Sequence, residues 1–319
     1  MKQQSNPIFI FGSLLIFLLL WQLTSVTAQE VEDETDFDYY KGSVKGPERW
    51  GEIKEEWAAC NHGEMQSPID MANRRVKIIR KSKELVKNYK TSNVTVKNRG
   101  HDIAVKWTLG EAGSIKINGT EYQLHQGHWH SPSEHSINGR RYAMELHMVH
   151  ESPQENGETK IAVIGVFYKI GRPDPFLTQL MRNISDMIDQ KDERHFGMVD
   201  PRDIKTGGKR YYRYMGSLTV PPCTEGVVWT INKKVRTVSR EQVKLLREAV
   251  HDIYVMQSKM QDHGNHSTIE RFASISAGSI IEGAHNNHSS TYTKINYKFR
   301  YDSLAYELRS GSIVKFCVL

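Results

Sequence analysis

Two histidines one residue apart, in Gln126-Gly127-His128-Trp129-His130, and a third in Glu145-Leu146-His147 are the residues whose types and spacing most directly permit chemistry. In a β-strand successive side chains alternate between faces, so Gln126, His128 and His130 share one face and Trp129 takes the other. The same alternation puts Glu145 beside His147. A turn at Asn138-Gly139 lies between the two segments, so an adjacent strand can supply the third imidazole. Three neutral imidazoles leave one position open on a tetrahedral zinc ion, the arrangement of a catalytic rather than a closed structural site. Gln126 is placed to accept a hydrogen bond from His128 and Glu145 from His147, which fixes the tautomer and raises ligand basicity. His130 is expected to use a backbone carbonyl. His62, His125, His135, His150, His195 and His251 read as surface or core histidines.

The elements that must position these residues are short segments separated by turn signals. Val94 to Val96, Ile103 to Trp107, Ser114 to Ile117, Tyr122 to His130, Tyr142 to His150 and Ile161 to Ile170 read as strands. Arg99-Gly100, Asn118-Gly119, Asn138-Gly139 and Asn156-Gly157 punctuate them, which predicts a largely antiparallel sheet. Helical periodicity is confined to Pro175 to Gln190 and to a segment from the N-cap Ser239, with Gln242 at the capping-box position, through Leu245 and Leu246 to Val250. Both helices should lie at the periphery.

The ends of the chain carry other information. Lys2, the apolar run Ile8 to Trp21 and Val26-Thr27-Ala28 read as a signal peptide over 1–28. That run is short for a membrane span, so a soluble, exported product is expected. Residues 29–39 form an acidic leader, read as a flexible arm. Export implies an oxidising compartment, where two of Cys60, Cys223 and Cys317 would pair and one would be left over. Asn93, Asn118, Asn183, Asn265 and Asn287 begin glycosylation sequons. The formal charge of +6 comes from scattered basic residues, with Arg74 to Lys90 a solvated face, and does not indicate nucleic-acid binding.

Several ordered blocks resemble the alpha class of carbonic anhydrases, in particular its plant members. They are Gln66-Ser67-Pro68-Ile69-Asp70, Asn98-Arg99-Gly100-His101, Gln126 to His130 with Pro132-Ser133-Glu134-His135, Glu145 to His150, and Gly216-Ser217-Leu218-Thr219-Val220-Pro221-Pro222-Cys223. The resemblance implies one mainly β domain over 40–252, built on a twisted, largely antiparallel sheet of about ten strands with a few peripheral helices. It implies reversible hydration of carbon dioxide to bicarbonate and a proton, by attack of zinc-bound hydroxide. Thr219 matches the residue that orients that nucleophile and Glu134 the carboxylate that accepts a hydrogen bond from the threonine hydroxyl. Val149, Val163, Leu218, Val227 and Trp229 match the apolar wall that holds carbon dioxide. His101 matches the proton shuttle, and Cys60 and Cys223 the disulfide that braces the loop carrying Thr219, leaving Cys317 free.

This sequence departs from the pattern in three places. Arg99 stands where an asparagine is usual beside the shuttle, and Val220 replaces a second threonine common in animal members. From Ile253 to Leu319 nothing matches, and in the family that region supplies the carbonyl expected for His130. A secreted storage or binding protein with the same fold and little activity is the alternative reading, and a zinc peptidase is disfavoured by the lack of an HExxH helix. The cell wall space is the expected destination, with a plastid reached through the secretory route as the alternative.

Overall fold

The computed structural model describes residues 36–78, 85–188, 190, 192–207 and 210–250, and the backbone of Cys317–Val318. The signal peptide, most of the acidic leader, His251, Asn265, Asn287 and the carbonyl expected for His130 from the divergent tail lie outside the described residues.

The strands are β1 (Val86–Tyr89), β2 (Ser92–Asn98), β3 (Ile103–Trp107), β4 (Gly113–Ile117), β5 (Thr120–His130), β6 (Met144–Pro153), β7 (Thr159–Ile170), β8 (Glu193–Val199), β9 (Tyr211–Ser217), β10 (Glu225–Asn232), β11 (Arg236–Val238) and β12 (Cys317–Val318). Among the described residues they form one 12-stranded sheet ordered β12-β9-β10-β7-β6-β5-β3-β2-β8, with β4 on β5, β1 on β4 and β11 on β7. The sheet is mixed: β10 and β11 both run parallel to β7, and the other pairings are antiparallel. The helices are α1 (Trp50–Ile53), α2 (Ala59–His62), α3 (Pro175–Ser185) and α4 (Arg240–Ala249).

Central position in the sheet explains the composition of β6 and β7. Both are buried through most of their length; β7, covered on two faces, loses the polar half of the alternation, whereas β6 keeps buried polar residues, Glu145, His147 and His150. One face carries the larger core, with Trp107, Leu124, Trp129, Leu146, Met148, Ile164 and helix α3. The opposite face carries Val149, Val163, Phe167, Trp229 and Ile231.

The alternation does not run unbroken through β5. Leu124 pairs with His150 and Gln126 with Val149, so His125 is an extra residue on this strand, a β-bulge. Before the bulge, Tyr122 and Leu124 point into the larger core; after it, Trp129 does. The bulge therefore turns Gln126, His128 and His130 to the opposite face, where an uninterrupted strand would have set them beside Leu124.

Helix α4 begins with the expected capping box between Ser239 and Gln242. Helix α3 is shorter than its apolar periodicity predicts, ending at Ser185 rather than near Gln190. Beyond it the bonds tighten to i→i+3 steps, Met187 to Ile184 and Gln190 to Met187, which satisfy the last carbonyls without extending the helix. The Arg74 to Lys90 stretch, read as a solvated face, contains the strand β1. The leader is not wholly an arm: Phe37 is buried against Trp50 and Trp57. Asn93 and Asn118 are exposed and Asn183 is half-buried.

Cys60 of α2 and Cys223 are joined by a disulfide across 163 residues of sequence, which ties the segment before the sheet to the loop between β9 and β10. Replacing both cysteines by alanine should lower stability by about 2–5 kcal/mol, measured by chemical denaturation. An unchanged midpoint would mean that the loop is held by its other contacts alone.

Candidate metal centre

The bulge and the β5–β6 register bring the three predicted ligands together. His128 and His147 are directly opposite one another in the ladder, and His130 lies opposite Glu145. One nitrogen from each of His128, His130 and His147 lies within 4.8 Å of the others. Their ring centroids are 4.6 to 5.2 Å apart.

The remaining ring nitrogens are oriented as expected for two of the three. Gln126 Oε1 lies 2.9 Å from His128 Nδ1, and Glu145 Oε1 2.9 Å from His147 Nε2. Those bonds leave His128 Nε2 and His147 Nδ1 to face the centre. His130 Nε2 is buried with no hydrogen-bond partner among the described residues. Burial holds the His128 and His130 rings well below the usual imidazole pKa, so both are neutral and able to ligate at physiological pH. An all-nitrogen set of three imidazoles, with His128 and His147 buried and His130 half-buried, fits zinc.

A second network, which sequence reasoning missed, supports this set. His135, read as a core histidine, donates from Nδ1 to Glu145 Oε1 at 2.7 Å and from its backbone N–H to Glu145 Oε2 at 2.9 Å. Its Nε2 lies 2.6 Å from the Tyr214 hydroxyl, which is 2.8 Å from Ser67 Oγ. Burial alone would raise Glu145, but His135 and His147 beside it hold the carboxyl well below the usual carboxylate range. Gly165, opposite His147 in the ladder, makes room for this arrangement: a Cβ there would lie 3.3 Å from Glu145 Oε1 and 2.5 Å from Ile231 Cδ1. The sequence signal was present in the two quoted blocks containing Ser67 and His135, but no periodicity links residues so far apart.

The residues assigned to the apolar wall are gathered. Val149, Val163, Leu218, Val227 and Trp229 belong to one buried cluster, and the Trp229 ring lies 4.8 Å from that of His147. Trp229 is fixed by a bond from Nε1 to the Ser217 carbonyl at 2.9 Å. Thr219 is buried nearby in sequence, but its Oγ1 makes no hydrogen bond among the described residues, so the expected link to Glu134 is not made. Glu134 Oε2 instead lies 3.6 Å from His130 Nε2 and 3.8 Å from His147 Nδ1. His101 sits on the β2–β3 turn, its ring 5.4 Å from that of Phe37.

Together, a mixed sheet and a cluster of three histidines beside an apolar wall form a group of side chains able to hold a metal ion. The family model described as eukaryotic-type carbonic anhydrase matches residues 45–265. Carbonic anhydrase Nec1 of Nesocodon mauritianus is 54% identical over 249 residues, 77% of this chain and 89% of that protein. Alpha carbonic anhydrase 7 of Arabidopsis thaliana is 57% identical over 224 residues, 70% and 80% of the two chains. Among solved structures, dioscorin complexed with ascorbate has a TM-score of 0.63 at 45% identity, covering 67% of this chain and 87% of that one. The alpha carbonic anhydrase of Thermovibrio ammonificans, in complex with the inhibitor sulfanilamide, gives 0.61 at 34% identity, covering 67% and 91%. The chain belongs to the alpha carbonic anhydrase family, and its curated relatives in plants share about half of its residues over the matched region.

Replacing His128, His130 or His147 by alanine should remove most of the bound zinc, measured as metal per chain after dialysis, whereas Glu145→Gln should weaken zinc binding by about 10–100-fold. Full retention of zinc in a histidine variant would disprove that ligand.

The site also sets an acid limit for the metal-free protein. Burial lowers the folded-state pKa of His128 and His130, and that of His150 to about 3, so unfolding takes up protons once the pH falls below the unfolded value of about 6.5. Glu145, also held low in the fold, acts in the same direction at more acid pH. Stability should therefore be greatest near neutrality and fall steadily on acidification, read from denaturation midpoints at a series of pH values. A flat midpoint between about pH 7 and about pH 4 would contradict this.

Proposed function

We propose that the protein is a zinc-dependent carbonate dehydratase that interconverts carbon dioxide with bicarbonate and a proton. The observation that carries this reading is the convergence of three imidazole nitrogens beside a buried apolar wall. His128, His130 and His147 would hold the ion. When bound, zinc lowers the pKa of a coordinated water to about 7 and so supplies a nucleophile at neutral pH.

The chain's own residues do the rest. Val149, Val163, Leu218, Val227 and Trp229 form a surface that favours an uncharged linear molecule over water, while bicarbonate, being charged, is released from it. Thr219 and Glu134 are the residues read as orienting the nucleophile: the threonine hydroxyl would accept a hydrogen bond from it and donate one to Glu134, which requires the two side chains to close a contact that they do not make here. His101 is the group read as passing the released proton on, a task suited to a group that gains and loses protons near neutrality; its side chain is 1% exposed here, so the ring would have to turn outward to reach solvent. Gln126 and Glu145, the latter braced by His135, keep the ligand rings in register.

Export through the secretory route accompanies this reading. The disulfide supports an oxidising destination, and the exposure of Asn93 and Asn118 is compatible with glycosylation there. The second reading, a storage or binding protein, is favoured by one observation: the similarity to dioscorin in its complex with ascorbate.

Stopped-flow hydration by the zinc-loaded mature chain separates the two. An enzyme should show kcat/KM rising with pH through a midpoint of about 7 and should be blocked by sulfanilamide. Stoichiometric zinc without hydration above the buffer rate would establish the binding protein instead. Thr219→Ala should lower kcat/KM by roughly 100-fold with zinc retained, since it removes an orienting contact in the chemical step.

A further inference from the structure

Lys87 of β1 belongs to the stretch whose composition reads as a solvated face, yet its side chain is half-buried and tied down. Its Nζ donates to the Thr206 carbonyl at 3.0 Å and to Thr206 Oγ1 at 2.9 Å. Both acceptors are neutral, and Lys87 makes no ion pair among the described residues. Two of the hydrogens on Nζ are thus taken by one buried residue, and the third corner of the nitrogen points away from it. That corner is a proton in the ammonium form and a lone pair in the amine.

The charge that faces Lys87 has its own sign. Arg236 of β11 reaches the same loop, since a Cβ on Gly207, the residue after Thr206, would lie 3.4 Å from Arg236 Nη2. Arg236 Nε is buried with no hydrogen-bond partner among the described residues. The carboxylate that senses this guanidinium, Asp174, caps α3 by accepting the Leu177 N–H at 3.0 Å and forms no ion pair with it. His150 of β6, which also senses Lys87, is kept neutral by burial, and Tyr168, opposite Arg236 in the ladder, keeps its proton for the same reason. Among the described residues neither cation has a counter-charge of its own.

Two like charges out of full contact with water repel, and the group that holds its proton less firmly gives it up. Arginine does not deprotonate in proteins, so the lysine yields. Burial, and after it the Arg236 guanidinium, bring Lys87 down to about 8. At pH 8 about half of Lys87 is then free amine, against less than about 1% of a lysine at the ordinary value of about 10.4. A lysine made reactive by desolvation and by a second cation is a general form of amine nucleophile. An electrophile for it has to be small enough to reach a half-buried nitrogen, and its adduct has to bring the negative charge that the loop lacks. Carbon dioxide meets both conditions.

We propose that Lys87 is a carbamylation site, at which the amine adds to carbon dioxide and the resulting carbamate is held by Arg236. The nitrogen lone pair forms the N–C bond, one C=O pair of carbon dioxide moves onto oxygen, and one N–H proton leaves to water. Amine and carbon dioxide thus give a carbamate anion and a proton, with nothing oxidised or reduced. Lys87 changes from cation to anion, and the repulsion between β1 and β11 becomes a charge-assisted contact with Arg236 Nε–H as a donor. The N–H left on the carbamate keeps one of the two bonds to Thr206. Neither Lys87 nor Arg236 belongs to the histidine cluster, so the site stands or falls independently of hydration at the metal.

The test is a carbamate map of the full, zinc-loaded chain. The protein is equilibrated at about pH 8 with isotopically labelled bicarbonate and carbon dioxide, where the free amine of Lys87 far exceeds that of ordinary lysines. Triethyloxonium then esterifies any carbamate, and the digested chain is read by mass spectrometry. The label on Lys87 should exceed that on the exposed Lys116 by about tenfold or more. Acetic anhydride, which also consumes free amine but leaves an uncharged amide, corrects for access and for amine content. In Arg236→Met the ratio of carbamate to acetyl label at Lys87 should fall by roughly threefold to tenfold, because only the carbamate needs the guanidinium. Zinc content checks that this variant is folded.

The comparison of Lys87 with Lys116 is made within the unaltered protein and needs no variant to fold. Carbamate on Lys87 no greater than on Lys116 would overturn the proposal. So would a carbamate-to-acetyl ratio that Arg236→Met leaves unchanged. Both results are read without reference to turnover, so a chain that binds zinc and hydrates nothing would still decide the question.

Discussion

A carboxylate with no exposure to solvent is sustained only by the groups that face it, and Glu145 is such a carboxylate. It accepts from His147, from the His135 ring and from the His135 backbone, and the far side of His135 is closed by Tyr214 and Ser67. The β6 strand with His147, the loop after β5, the β9 strand and the segment near residue 67 therefore meet at one anion. Loss of any partner leaves a buried charge with one support fewer.

The ligands and the chemistry draw on different parts of the chain. His128, His130 and His147 come from two adjacent antiparallel strands, whereas Leu218, Thr219, Val227 and Trp229 arrive from beyond β9 and reach the site because β10 lies parallel against β7. The disulfide to Cys60 fastens that later loop to the segment preceding the sheet. A relative can in this way keep a metal centre intact while its loop drifts, and metal content and catalytic competence become separable properties of one fold.

Much of this was legible in the sequence because it rests on short-range rules. Strand alternation places His128 with His130 and Glu145 with His147, and the capping box marks the start of α4 correctly. The pairing of Cys60 with Cys223 came from resemblance and is present in the fold. What was not legible depends on tertiary partners. The strand β1 was hidden in a lysine-rich stretch, since its stability comes from pairing with β4 rather than from its own composition. Phe37 was assigned to a flexible leader because nothing local announces the tryptophans that bury it. The role of His135 required knowing that residues 67, 135, 145 and 214 converge.

The bulge at His125 separates two quantities that usually vary together, the identity of a residue and the count of residues. The half-buried side chain of His125 bonds to Glu151 and takes no part in the cluster of three histidines. Its presence matters because it alone sets the phase between the half of β5 that fills the larger core and the half that bears the ligands. Along this strand the reading frame of the fold is counted in units of one residue: deleting this position would exchange the side chains that fill the inside of the protein for those on the histidine-bearing face.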